Sequence, residues 1–230
     1  MAAVKMIGQW LFPAACALCG GAAAEHELCA ACRAELPYND TACPRCALPL
    51  AVNALCGQCQ VAPPPYDAAF SLLHYAAPVD QLVQRLKFSA KLNLARLLGE
   101  LLAERLAQRA APPPELIIPV PLHRARLRTR GFNQALEIAR PIARRLRIPL
   151  DYRNCTRVRA TAVQSTLPAK QRAKNVKGAF RVLKPIAARH VALVDDVMTT
   201  GSTLHECATA LRAAGVATIE VWTCARAVKT

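Results

Sequence analysis

Residues 191–204 read VALVDDVMTTGSTL, four apolar residues running straight into two acids and a small polar turn. A continuous apolar run suits a strand covered on both faces, and Asp195 and Asp196 then stand at its carboxyl end, where open α/β sheets bind ligands. Thr199, Thr200, Gly201, Ser202 and Thr203 follow as a turn of small residues, with a helix expected from about Leu204. Backbone N–H groups and hydroxyls at a helix N-terminus suit a phosphate. Two carboxylates repel a phosphate, but they hold sugar hydroxyls or a hydrated Mg²⁺. The stretch asks for a ligand with a phosphate at one end and a diol or metal beside it.

A second chemistry lies near the N-terminus. Eight of the eleven cysteines form four C-x-x-C pairs: Cys16/Cys19, Cys29/Cys32, Cys43/Cys46 and Cys56/Cys59. Nine residues separate the first two pairs and nine the last two, so the pattern is a doubled unit. A C-x-x-C turn offers two thiolates, and two such turns complete a tetrahedral S₄ site for Zn²⁺. Pairing in sequence order is favoured over interleaved pairing. Disulfides are disfavoured because MAAVKMIGQWLFPAACALC, broken by Gly8, Gln9 and Pro13, makes a poor export signal, and a reducing cytosol favours metal. A short amphipathic helix leading into the first knuckle is expected instead. Both zinc ions are read as structural, because such small ribbons have little apolar surface of their own. Cys155, Cys207 and Cys224 stand alone and read as core residues.

Composition fits one sizeable α/β domain with an appendage: 230 residues, 53% apolar, 20% charged. No apolar run is long enough to span a membrane, so no membrane insertion and a cytoplasmic location are expected. The net charge of +15 is unevenly placed. Between Val120 and Arg189, 18 Lys and Arg face two acids, Glu137 and Asp151, whereas residues 1–65 are close to neutral. A polyanionic partner is implied.

The elements that must position these residues begin after VAPPPY, residues 61–66, a stiff linker and the expected boundary between a ribbon domain over 1–65 and an α/β domain over 66–230. A strand over 67–75, helices over 78–88 and 93–108, and a strand ending in Pro119-Val120-Pro121 are expected, then a basic loop and a helix. Strands near 148–155, 191–196 and 217–224 and a helix over 203–213 complete the pattern. Strands alternating with helices imply a doubly wound, mostly parallel sheet.

The strand, Asp-Asp and T-T-G-S-T together resemble the ribose-phosphate signature of type I phosphoribosyltransferases. PVPLHRARLRTRGFNQA, with Gln164, Arg172, Asn175 and Gly178 to Phe180 further on, resembles the ComF family of competence-associated proteins, which carry an N-terminal double zinc ribbon. This resemblance covers essentially the whole chain. It implies that Asp195 and Asp196 contact the ribose hydroxyls of phosphoribosyl pyrophosphate and act as the catalytic pair. Thr199 to Thr203 would cradle the 5′-phosphate. Val120 and the loop after it, with His123, Arg124 and Arg130, would wrap pyrophosphate and Mg²⁺. Residues 157–178 would form a mobile basic loop closing over the site. The last strand lies close to Thr230, so residues 66–112 or the ribbons are expected to serve as the hood, where no base-reading constellation is visible. Single-stranded DNA and competence-machinery proteins are the implied partners. Two readings stay open: a phosphoribosyltransferase with an unnamed acceptor, or a DNA-binding competence factor in which the phosphoribosyl pyrophosphate site regulates.

Overall fold

The fold is taken from a computed structural model that describes residues 14–23, 27–89, 91–160 and 176–228. The expected N-terminal helix over the first residues lies outside them, as do Gln164, Arg172, Asn175 and most of the expected basic loop.

Two small lobes open the chain. The first carries β1 (Ala14–Ala15), β2 (Ala22–Ala23) and the short helix α1 (Ala30–Ala34); the second carries α2 (Gly57–Val61). Both helices start at a metal-type cysteine, Cys29 for α1 and Cys56 for α2. The remainder runs β3 (Ala68–His74), α3 (Val79–Ser89), α4 (Leu92–Ala107), β4 (Leu116–Pro119), α5 (Arg124–Arg130) and α6 (Gln134–Leu146). It closes with β5 (Cys155–Arg157), β6 (Phe180–Val182), β7 (His190–Met198), α7 (Ser202–Ala213) and β8 (Thr218–Arg226).

The central sheet has four strands in the order β3-β8-β7-β4, every neighbouring pair parallel. Val191 to Val194 are all fully buried at the middle of it, as a run without alternation requires. Their side chains alternate between two cores. Ala192 and Val194 join the core beneath α3, α4 and α6, with Leu86, Leu98, Ile117, Ile138 and Trp222. Val191 and Leu193 join the core beneath α7, with Ile118, Leu204, Leu211 and Val221. The sheet is therefore covered on both faces. After β4 the chain crosses one face through α6, and after β7 it crosses the other through α7. The carboxyl ends of β4 and β7 thus flank a topological switch point, where open sheets leave a crevice.

Two elements differ from the sequence expectation. Residues 124–130 are a helix, not a loop: His123 accepts from the Ala125 amide as N-cap, and Gly131 (φ 83°) ends it in the left-handed conformation. The strand expected over 148–155 is reduced to a bridge between Leu150 and Ile117, and β5 pairs with β6 outside the main sheet. Within residues 66–112, β3 is the sheet's edge strand, α4 packs in the core, and Tyr75 and α3 reach the crevice, α3 through Gln84, Lys87 and Phe88.

The outer edge of β3 is not left bare, which would invite edge-to-edge pairing. The link between the lobes covers it: the Asn39 amide donates to Leu72, the His74 amide donates to Pro37, and Tyr38 forms an antiparallel bridge with Leu73.

Candidate functional site

A cavity of about 430 Å³ opens at the carboxyl ends of β4 and β7. Its floor is Asp195, Asp196 and the turn Thr199 to Thr203; Val120, Pro121, Leu122, Asn133 and Gln134 line one side, and Lys87, Phe88, Arg126, Arg130 and Arg157 complete the wall.

β7 continues through both aspartates to Met198, with Asp195 paired to Thr223, so the carboxylates sit inside the strand, not beyond it. Alternation sends Asp196 toward the α3 side, where it is 6% exposed and its Oδ2 meets Lys87 Nζ at 2.7 Å. Burial works against the Lys87 ammonium, but Asp196 and then Asp195 overcome it and raise its pKa. Asp195 is raised from 3.8 to about 8, by burial first and by the neighbouring Asp196 charge second. Two adjacent carboxylates in a closed site resist ionising together.

The turn is shaped by Gly201, whose φ of 75° is the left-handed region that favours glycine. It is also the N-cap of α7 and has no side chain with which to occupy the first-turn amides, and Thr200 Oγ1 and Ser202 Oγ lie 2.8 Å apart beside it. A 12-residue helix thus presents its positive end to the cavity, between hydroxyls.

The RGFNQ segment acts as a brace. Asn133 caps α6 by accepting from the Ala135 amide and donates from Nδ2 to the Val120 carbonyl at 3.1 Å, tying α6 to the end of β4. Gln134 is buried at the cavity wall, and among the described residues its Oε1 has no hydrogen-bond partner. A buried acceptor left open beside a cavity is an available contact for a ligand donor.

Of the residues singled out from sequence, the structure brings together Asp195, Asp196, Thr199, Thr200, Gly201, Ser202, Thr203, Val120 and Arg130. His123 and Arg124 are not among the lining residues. His123 is spent on the helix cap, and Arg124 is exposed. Helical geometry explains the exchange: Arg126 and Arg130, four apart, face the cavity, while Arg124 and Arg128 face solvent. Of the other lining cations, Arg126 lies in the basic run after Pro121 and Arg157 opens the basic segment 157–178 expected to close over the site; sequence reasoning missed Lys87, a lone cation far from the motif. Burial lowers the pKa of Arg157 and Arg130, with Arg126 the next cause and the Asp carboxylates opposing. Three cations crowded in this way favour an anion among them.

The cysteines fall into two groups, Cys16/Cys19/Cys29/Cys32 and Cys43/Cys46/Cys56/Cys59, with all ligand atoms of each group within 4.8 Å of one another. A tetrahedron of Zn–S bonds has S···S edges of roughly 3.8 Å; Cys19 and Cys29 Sγ lie 3.8 Å apart, Cys46 and Cys56 Sγ 3.6 Å. The two four-thiol groups fit a double zinc ribbon, with the pairs grouped in sequence order. Among the described residues no helix is long and apolar enough to cross a membrane.

Residues 7–60 match the double zinc ribbon domain family, and residues 133–229 match the phosphoribosyl transferase domain family. The chain is 39% identical over 221 residues to a DNA utilization protein, YhgH, of Escherichia coli O6:H1, covering 94% of this chain and 90% of that one. It is 41% identical over 164 residues to YhgH of Escherichia coli K12, covering 70% and 72%. It is 43% identical over 171 residues to competence protein F of Haemophilus influenzae, covering 71% and 75%.

Proposed function

Because the chain belongs to the ComF family, whose members join a double zinc ribbon to a phosphoribosyltransferase-like domain, we propose that its cavity binds phosphoribosyl pyrophosphate with Mg²⁺ in the service of DNA uptake. The observation that carries this reading is the Gly201 turn at the start of α7, facing Asp195 and Asp196 across one cavity. The 5′-phosphate takes the turn and the helix end. The ribose hydroxyls donate to Asp195 and Asp196, and Gln134 Oε1 accepts from a further donor. Arg126, Arg130 and Arg157 receive the pyrophosphate. The carboxylates and the Gln134 oxygen are hard donors that fit Mg²⁺, which when bound would offset the pyrophosphate charge.

In transfer, the bond from C1′ to the pyrophosphate oxygen breaks, the electron pair leaves with pyrophosphate, and the acceptor's nucleophile bonds to C1′. The chain's part is electrostatic: carboxylates beneath the sugar stabilise positive charge at C1′, and arginines stabilise the leaving group. Lys87 is held on Asp196 by the 2.7 Å contact. When the diol takes that carboxylate, the ammonium turns to the pyrophosphate. Calorimetric titration with phosphoribosyl pyrophosphate and Mg²⁺ tests the reading. Binding is expected, and Asp195→Asn with Asp196→Asn is expected to weaken it at least tenfold, on the scale of charged hydrogen bonds worth about 1.5–3 kcal/mol each. Unchanged affinity in the double variant removes the aspartates from the site.

A second reading has its own observation. Arg124 and Arg128 are exposed outside the cavity, and Phe88 stands 75% exposed at its mouth. That surface suits single-stranded DNA, with steep salt dependence and modest base stacking. In this reading phosphoribosyl pyrophosphate regulates, and pyrophosphate release with candidate acceptors separates the two.

A further inference from the structure

The second four-cysteine lobe is wired to the phosphate-type turn through one side chain. Arg226 ends β8 and is 9% exposed. Its Nε donates to the Cys46 carbonyl at 3.0 Å, and its Nη1 donates to the Met198 carbonyl at 3.1 Å and to that of Thr199. Among the described residues its hydrogen-bond acceptors are carbonyls, not carboxylates. One planar fork therefore joins a metal-binding knuckle to the residues that lead into Gly201.

The knuckle is pinned on its other side as well. The Pro44 carbonyl accepts from the Ala69 amide at 2.9 Å, and Arg45 donates to the carbonyls of Asp67 and Pro64. Tyr66, fully buried between linker and sheet, places its hydroxyl 3.5 Å from where a Cβ on Gly201 would stand. The knuckle Cys43–Cys46 is thus held by the linker and by β3, and it reaches the turn through Arg226. Among the described residues the first lobe has no such path. Its contacts run to α3 and α4, through Arg85 to the Ala17 carbonyl and Arg33 to Glu104.

From these contacts we infer that Arg226 is a positioning residue coupling the metal held by Cys43, Cys46, Cys56 and Cys59 to the phosphate site. Metal fixes the Cys46 carbonyl, the guanidinium transmits that position to Met198 and Thr199, and the turn keeps the shape that takes an anion. Coupling between two sites is reciprocal: a ligand on the turn must slow loss of the metal from this lobe. The inference rests on the turn being the phosphate site, as proposed above.

Zinc-loaded full-length protein is treated with a thiol-alkylating reagent, with and without ribose 5-phosphate or phosphoribosyl pyrophosphate with Mg²⁺, while calorimetry follows binding of the same ligands. Mass spectrometry compares labelling of the second cysteine group with the first. Saturating ligand is expected to slow labelling of the second group on the order of tenfold and to leave the first unchanged. Arg226→Gln is expected to lose this protection and to bind ligand more weakly by a similar factor, with both zinc ions retained. Arg226→Lys keeps the charge but not the fork and is expected to behave like the Gln variant. If Arg226→Gln does not fold, the wild-type labelling ratio and Arg226→Lys decide the question. Equal protection of both groups, or full protection in Arg226→Lys, overturns the coupling while measured binding leaves the phosphate site standing. Failure of both ligands to bind the wild type overturns both.

Discussion

The two cysteine lobes share a spacing and differ in their neighbours. In the first, Cys16 is buried, Cys29 and Cys32 are half-buried and Cys19 is exposed; in the second, Cys43, Cys56 and Cys59 are buried and Cys46 is half-buried. The first packs Cys16, Ala23, Leu28 and Leu36 into the core beneath α3, α4 and α6 and adds polar contacts to α4, Arg33 to Glu104 and Asn93 and Arg96 to Glu27. The second is joined to the linker, to β3 and to the cavity floor by backbone and arginine hydrogen bonds. One metal-binding unit, used twice, therefore does two jobs. The outer copy, the first, extends the main core and adds half-exposed ion pairs, which contribute little each. The second copy forms a small cluster of its own and is tied through Arg226 to the turn that lines the cavity, so its loss is expected to reach the site.

The largest effect that separates the two comes from removing ligands. Cys43→Ser with Cys46→Ser is expected to abolish ligand binding and unfold the linker and β3 edge, because a structural zinc is worth about 10–16 kcal/mol in small zinc peptides, comparable with the roughly 5–15 kcal/mol of a whole domain. Cys16→Ser with Cys19→Ser is expected to release one zinc, lower the melting temperature and leave ligand affinity within about twofold, as sites without shared partners are nearly additive. Metal content, thermal melting and calorimetry on both variants check this. Equal loss of binding in the two would erase the distinction.

A smaller effect comes from pH, and only the cavity side should carry it. The folded pKa of Asp195, about 8, lies above the ordinary 3.8, so the folded protein holds a proton that the unfolded chain releases. That contribution to stability is complete below 3.8 and is lost as pH rises toward about 8. The melting temperature of wild type is expected to fall across this window, more shallowly in Asp195→Asn. The Cys16→Ser/Cys19→Ser variant should keep the wild-type slope, since no described residue of its lobe lines the cavity. Melting curves across pH read all three.

The smallest effect belongs to the outer lobe. Arg33 is 43% exposed in its pair with Glu104, so Arg33→Ala is expected to cost at most about 1 kcal/mol. The melting temperature should move by a few degrees and ligand affinity should not change. A larger fall would mean that this pair does more than an exposed ion pair.

Local patterns carried much of this fold. VALV reads as a doubly covered strand because a parallel sheet leaves no face for polar residues, and Val191 to Val194 are buried as that requires. C-x-x-C with its doubled spacing reads as two metal lobes because two thiolates per turn is a property of the turn itself. The T-T-G-S-T segment was legible because a phosphate turn needs small residues and one left-handed glycine, which Gly201 supplies. The helix over Arg124–Arg130 was not legible: charge density in the run masked its short period, and its ends depend on His123 and Gly131 acting as caps.

Residue types and spacing settled the chemistry available to the chain: two adjacent acids, a turn of small residues at a helix start, and eight thiolates in two sets. These are local, being set by the strand's alternation, the turn's torsions and the reach of a C-x-x-C loop. Which cations answer the acids was decided by folding alone. Lys87 and Arg157 stand far from the two acids in the chain and share the cavity with them, Lys87 on Asp196 itself, only because α3 and β5 are carried to the crevice where β4 and β7 end. Arg226 joins Cys46 to Thr199 for the same reason: β8 lies beside both β3 and β7, an adjacency of the sheet order. Pairings across so many residues are fixed by burying two apolar faces at once, and that is a property of the whole chain, not of any segment of it.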